Sequence, residues 1–387
     1  MIALLLARGR LDRKLGIART LEEAAGRLEH PVDRRTINTV TGDQQKADLP
    51  VRPVHQRGGL MFLVFVAVQE ATDVDHRDLG LLLVACHIVH HIVNYNDNDM
   101  KVWRSESQME TYRGMDRDKL AAAYNIRAVV PAWQEYLADW EARSAALYAG
   151  RTCTRDLFYD DASPRRRFDV FEGTRPNLPT VLYMHGGYWQ WNDKEGQAFV
   201  AEGALDQGIS VAIGEHTLAP AIKMAGIAEE MPQLVRAVSA HAVSAGRSPR
   251  VVLLGMSSGA HLLALTLNMV EVAGAILISG AYDLDPVRLS PLNDAIGMDH
   301  AEARACSPLH LPHTAPKPVI VAFGDAERPE IRRQGEDFHA LLVGQRYPAR
   351  LLPVPDTDHF SVLETLAHPD GMLCRALATL VEECEGP

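Results

Sequence analysis

No two cysteines in the 387-residue chain stand as a C-x-x-C pair. The five thiols, Cys86, Cys153, Cys306, Cys374 and Cys384, are odd in number and widely scattered. That speaks against a disulfide framework and against a thiolate zinc site, and reduced thiols in a cytoplasmic protein are expected. Long apolar runs are missing too. The stretches 60–68 and 79–93 are too short, or too interrupted by histidine, to span a bilayer. The opening MIALLLARGR places its basic residues after its apolar run, the reverse of a secretory signal. Nor is there an excess of basic charge. Residues 1–114 are neutral, with 15 basic and 15 acidic side chains, so the remainder carries the whole net charge of −11. An acidic body argues against nucleic acid or an anionic membrane as partner. The expected partners are a small-molecule substrate and, at most, a second copy of the chain. No internal repeat or low-complexity stretch interrupts the sequence.

What is present divides near residues 105–115. Before that boundary, Pro31, Pro50, Pro53, the Gly58-Gly59 pair and the polar stretch 94–99 break the chain into short pieces without a sustained period. His87, His90 and His91 have i, i+3, i+4 spacing, which could present imidazoles on one face of a helix. No Glu-x-x-His pattern or further ligand accompanies them, so a metal role is not adopted. Residues 1–110 are read as an unassigned extension, 111–150 as a helical lead-in broken at Pro131, and 151–387 as the catalytic domain.

Beyond residue 150, short β-type runs alternate with helical ones. Strands are predicted at 166–171, 180–184, 209–214, 250–255, 274–279, 318–324 and 349–354. Helices are predicted at 194–206, 222–245, 258–269, 329–343 and 361–383. Runs such as VVLLG and PVIVAF are apolar throughout, the pattern of strands covered on both faces in a mostly parallel sheet.

Gly255-Met256-Ser257-Ser258-Gly259 is a G-x-S-x-G match between an apolar strand and a helical run. That context makes it a nucleophile elbow, a sharp turn that exposes Ser257 at the edge of an α/β-hydrolase sheet. His185-Gly186-Gly187 follows an earlier strand and offers main-chain N–H groups to an oxyanion hole, Gly187 and Gly186 on this side with the amide of Ser258 from the elbow. His359, in the polar loop after the last strand, stands where the general base belongs. The other histidines downstream of Ser257 are read as surface or structural. The acid should follow the strand at 318–324, where both Glu327 and Asp325 are within reach; Glu327 is favoured and Asp325 remains the alternative. No cofactor or metal is called for.

HGGYWQ, GMSSGAHL, RPEIRRQ and DTDHF together resemble kynurenine formamidase (arylformamidase) and its α/β-hydrolase relatives, with support from AAYNIRAVVP, EHTLAP and LSPLNDAIGMD. The resemblance runs from about Met115 to the end. It implies that the family's serine falls on Ser257, its histidine on His359 and its oxyanion glycines on Gly186 and Gly187. The family's acid stands directly before an x-P-E sequence, which here is Glu327 before Arg328-Pro329-Glu330, although Asp is commoner there in animal members. The implied reaction is hydrolysis of N-formyl-L-kynurenine to formate and L-kynurenine, with a carboxylesterase for small aryl or alkyl esters as the alternative. Tyr188, Trp189 and Trp191 are expected either to line an aromatic pocket or to pack the oxyanion loop. Asn125 and Asn293 are offered as substrate contacts, and the helices of 115–148 as candidates for a lid. The first 110 residues have no counterpart in the resemblance, so a chain begun at Met109 or Met115 is expected to fold and act.

Overall fold

The computed structural model describes residues 110–385. His87, His90, His91 and Cys86 lie outside them. The described chain opens with α1 (Arg117–Tyr124), a single 3₁₀ turn (Arg127–Val129) and α2 (Trp133–Gly150), broken at Pro131 as the sequence predicts. Then follow β1 (Cys153–Phe158), β2 (Arg167–Phe171), β3 (Thr180–Met184), α3 (Glu202–Asp206), β4 (Val211–Gly214), α4 (Met224–Ser244), β5 (Val251–Met256), α5 (Ser258–Ala264) and β6 (Val272–Ile278). Three short helices, α6 (Asp285–Arg288), α7 (Asn293–Ile296) and α8 (His300–Ala305), lead to β7 (Val319–Gly324) and α9 (Pro329–Gly344). The chain ends with β8 (Ala349–Val354), α10 (Glu364–Ala367) and α11 (Met372–Glu383).

The eight strands form one sheet in the order β1-β2-β4-β3-β5-β6-β7-β8. β2 runs antiparallel to β1 and β4, and every pairing from β4 through β3 to β8 is parallel. Because side chains alternate along a strand, each central strand must feed two separate cores. Leu253 of β5 packs with Leu234 and Val238 of α4 on one face. Its neighbours Val252 and Leu254 pack on the other with Leu377 and Leu380 of α11. A strand covered on both sides has no use for polar residues, which explains the uninterrupted apolar runs. This is the α/β-hydrolase fold. The parallel register brings the C-terminal ends of β3, β5, β7 and β8 to one sheet edge, where ligands bind in open α/β sheets.

Four local predictions need correction. β1 was not expected; most of its residues are at least partly exposed, so it lacks an apolar signature and forms by pairing with β2. The helix predicted at 194–206 begins only at a 3₁₀ turn, Ala198–Ala201. Lys194 is instead drawn into the interior, where its Nζ meets Asp169 Oδ2 at 2.7 Å and Glu195 Oε1 at 2.7 Å. α5 stops at Ala264, five residues early, where the Thr266 hydroxyl donates back to the Leu263 carbonyl. The helix predicted at 361–383 divides into α10 and α11 at His368–Gly371, since Pro369 cannot continue a helix. The described cysteines, Cys153, Cys306, Cys374 and Cys384, are all free thiols. Among the described residues no helix is long and apolar enough to cross a membrane.

Candidate active site

The site begins at the end of β5. Ser257 has φ 55° and ψ −121°, a conformation that a side chain adopts at a cost of about 1–3 kcal/mol. The flanking glycines make the turn possible. A Cβ on Gly255 would lie 2.5 Å from Ala260 Cα, and one on Gly259 2.2 Å from the Met184 carbonyl oxygen. The elbow is further held by the Ser257 amide donating to Ile278 O at 2.7 Å.

His359 and Glu327 meet at the same sheet edge. The Glu327 carboxylate accepts from His359 Nδ1 at 2.7 Å through one oxygen, and through the other from the Gly324 amide at 3.1 Å and the Ser279 hydroxyl. A carboxylate can only accept, so the contact fixes the proton on Nδ1 and leaves Nε2 as a free acceptor. Asp325, the alternative acid, is exposed, while Glu327 is buried. Sequence reasoning missed Ser279. The cue was a Ser-Gly pair directly after an apolar strand, and like Ser257 the residue has a positive φ, 55°.

The loop after β3 is held in an uncommon shape. Gly187 (φ 129°), Tyr188 (φ 49°) and Trp189 (φ 60°) follow one another with positive φ. A Cβ on Gly187 would lie 2.3 Å from the Trp191 carbonyl oxygen, so only glycine fits. The Gly186 carbonyl accepts from Asn192 Nδ2 at 2.9 Å and from His185 Nδ1 at 2.8 Å. In a trans peptide the N–H of Gly187 points the opposite way from that carbonyl, so anchoring one aims the other.

The anchor is itself charged. Both ring nitrogens of buried His185 face acceptors, Gly186 O and, at 2.9 Å, Glu215 Oε1, so both must carry protons. Burial disfavours the imidazolium, but the Glu215 carboxylate outweighs it and holds the pKa above the ordinary 6.5. Burial likewise opposes the charge on Glu215, yet His185, His216 and Arg165 pull its pKa down to about 2. His216 stacks on His185 and is pushed by burial and by that neighbouring charge to about 4, so it stays neutral. The pair Glu215-His216, polar residues at the end of apolar β4, was the overlooked signal.

Ser257, His359, Gly186, Gly187, Tyr188 and Trp191 all line one cavity of about 70 Å³. The lead-in segment supplies its opposite wall, through Ile126, Arg127, Leu137 and Trp140. The aromatic residues divide. Tyr188 lies at the cavity and donates its hydroxyl to Tyr124 O at 2.6 Å, whereas Trp189 is buried away from it and donates to His261 Nδ1 at 3.1 Å. His261, on α5, gives its other nitrogen to Cys306 O, so the Trp189–His261 contact ties the loop after β3 to α5. Ser258 is buried beside Ser257 at the start of α5. Asn293 is not brought to the cavity: its side chain is used on the backbone N–H and C=O of Met298. Asn125 accepts from the Ala128 amide and shapes the 3₁₀ turn instead of lining the cavity.

A protein-family model, BD-FAE, matches residues 169–274. Kynurenine formamidase of Danio rerio is 26% identical over 295 residues, covering 70% of this chain and 99% of that one. Kynurenine formamidase of Salmo salar is 30% identical over 232 residues, 56% of this chain and 78% of that one. Among solved structures, a protein of Silicibacter sp. proposed to be a thioesterase has a TM-score of 0.61 and 26% identity, over 68% of this chain and 99% of that one. An esterase of Pyrobaculum calidifontis, at 20% identity and TM-score 0.54, shares the fold. The 30% identity over 78% of the salmon protein, together with the sheet, the elbow and the glycine loop after β3, means that this chain belongs to the kynurenine formamidase family.

Proposed function

We propose that the protein is a serine hydrolase of small aryl formamides, cleaving N-formyl-L-kynurenine to L-kynurenine and formate through an acyl-enzyme. The observation that carries the reading is the meeting of Ser257, His359 and the Gly186-Gly187 loop in one small cavity, with Glu327 bonded behind the histidine. The sequence of steps follows from the proton positions. The Ser257 hydroxyl passes its proton to His359 Nε2 as Oγ bonds to the formyl carbon. The carbonyl electrons move to oxygen, which takes hydrogen bonds from the amides of Gly187 and Ser258. Collapse of this intermediate breaks the C–N bond, and the arylamine leaves with the proton held by His359. Water, deprotonated by His359, then attacks the formyl-serine and releases formate, restoring Ser257.

The cavity has room for a small acyl group, and its apolar and aromatic wall suits an aryl leaving group. Relatives named kynurenine formamidase favour the formamide over an ester. The test is turnover of N-formyl-L-kynurenine and of p-nitrophenyl acetate by the purified chain and by Ser257→Ala. Efficient formamide cleavage that disappears in the variant supports the reading. Ester turnover with little formamide turnover replaces it with a carboxylesterase, and activity surviving in Ser257→Ala overturns the mechanism.

A further inference from the structure

Most of the wall around Ser257 is uncharged. Besides His359 and the Tyr188 phenol, the cavity lining holds one ionisable side chain, the cationic Arg127, and no carboxylate. The guanidinium carbon of Arg127 lies 4.4 Å from the ring centroid of Trp133 and 5.1 Å from that of Trp191. The guanidinium is therefore within cation–π range of two indoles, and among the described residues no hydrogen bond engages its N–H donors.

Other arginines of the chain are paired with acids. Arg165 pairs with Glu215 at 2.8 Å, Arg166 with Glu230 at 2.9 Å and Arg143 with Glu364 at 2.8 Å. Among the described residues no carboxylate pairs with Arg127. Arg328, also without an acidic partner among them, donates to the Asn125 carbonyl at 3.2 Å and adds positive charge at the same place. In a chain of net charge −11, a lone arginine without an acidic partner in the wall around the nucleophile is a local reversal of sign.

The position of Arg127 is also built. It opens the 3₁₀ turn, whose start is fixed by the Ala128 amide donating to Asn125 Oδ1 at 3.2 Å. The end of α1 just before it is tied to the oxyanion loop by the Tyr188 hydroxyl. Trp191 belongs to that same loop, its amide bonding to Gly187 O at 3.0 Å. The arginine is thus stacked against the segment that would orient the reacting carbonyl.

We propose that Arg127 is a carboxylate-binding residue that selects substrates whose aromatic leaving half carries an acid group. The inference rests on the acyl-transfer reading of Ser257 and names the substrate class for it. The fork of N–H donors matches a carboxylate with two parallel hydrogen bonds, a geometry that lysine does not reproduce.

The experiment compares two acetyl esters that differ by one carboxylate, 4-acetoxybenzoate and phenyl acetate, on the full chain, Arg127→Gln and Arg127→Lys. The ratio of kcat/KM for the anionic ester over the neutral one is expected to fall about 10- to 100-fold in Arg127→Gln, chiefly through KM, with Arg127→Lys in between. A ratio unchanged to within about twofold overturns the proposal. A second measurement needs no variant: benzoate should inhibit the wild-type enzyme at least about tenfold more tightly than benzamide, and less so in high salt. Equal inhibition by the two overturns it as well. Because neither ester is a formamide, absence of N-formyl-L-kynurenine turnover would remove the formamidase reading alone. If only the formamide is turned over, benzoate and benzamide compete against it and decide the role of Arg127.

Discussion

Replacing Glu327 by glutamine changes one atom and puts two hydrogen-bond requirements in conflict. The carboxylate accepts on both sides: from Ser279 and the Gly324 amide at one oxygen, and from His359 Nδ1 at the other. A glutamine has one acceptor oxygen and one donor nitrogen. If its oxygen stays with Ser279 and Gly324, its NH₂ faces Nδ1 and drives the proton of His359 to Nε2, where it can no longer accept from Ser257. The reverse rotamer keeps the productive tautomer but sets an NH₂ against the buried Gly324 N–H. Orphaning that donor costs about 1–3 kcal/mol, which confines the productive form to about 1–15% of molecules. Loss of the negative charge beside the forming imidazolium supplies the rest. The expected fall in kcat is about 10³–10⁴-fold, or ~4–5.5 kcal/mol in the barrier. Asp325→Asn, an exposed change, should alter the rate by less than about threefold. The assay is the pH profile of kcat and kcat/KM for p-nitrophenyl acetate, with thermal melts to confirm folding. Glu327→Gln retaining more than about a tenth of the rate, or Asp325→Asn falling equally far, would refute the reasoning.

The remaining predictions concern what holds the site in place. Gly259→Ala sets a methyl group 2.2 Å from the Met184 carbonyl oxygen, and a melting temperature lower by about 5–15 °C, or insoluble protein, is expected. Lys194→Met leaves the fully buried Asp169 with only the half-exposed Arg155, 3.7 Å away, as its cation, and urea unfolding should show a loss of about 3–5 kcal/mol. Lys194→Met/Asp169→Asn should regain more than half of it, and no recovery contradicts the buried-pair account. Glu215→Gln should separate two pH effects. The lowered pKa of Glu215 gives stability that is present above its ordinary 4.5 and lost as pH falls toward about 2. The raised pKa of His185 gives stability that is present below its ordinary 6.5 and lost as pH rises through the raised value. The melting-temperature gap between wild type and Glu215→Gln should therefore be widest between about pH 4.5 and 6.5 and narrow on both sides, and a pH-independent gap counts against the pair.

The sequence by itself determined the parallel core of the sheet, because a strand buried on both faces tolerates only apolar residues and so announces itself as an unbroken run. It likewise determined the elbow and the glycines after β3, where main-chain atoms approach too closely for a side chain and the residue choice is forced by sterics. Chain order then placed Ser257, an acid and His359 just after β5, β7 and β8. β1 was illegible for the opposite reason: an exposed edge strand is specified by its partner's hydrogen-bonding groups and leaves little pattern of its own. The same holds for Lys194, whose charge reads as a solvated helical face until Asp169 of β2 is brought against it. Asp325 and Glu327 are indistinguishable along the chain, two carboxylates in one loop, and only the fold shows which one is buried against His359, Ser279 and Gly324. His185 depends most on tertiary structure. Its role follows from a charge, and that charge exists because Glu215, 30 residues away, lies 2.9 Å from its ring in a setting that excludes water.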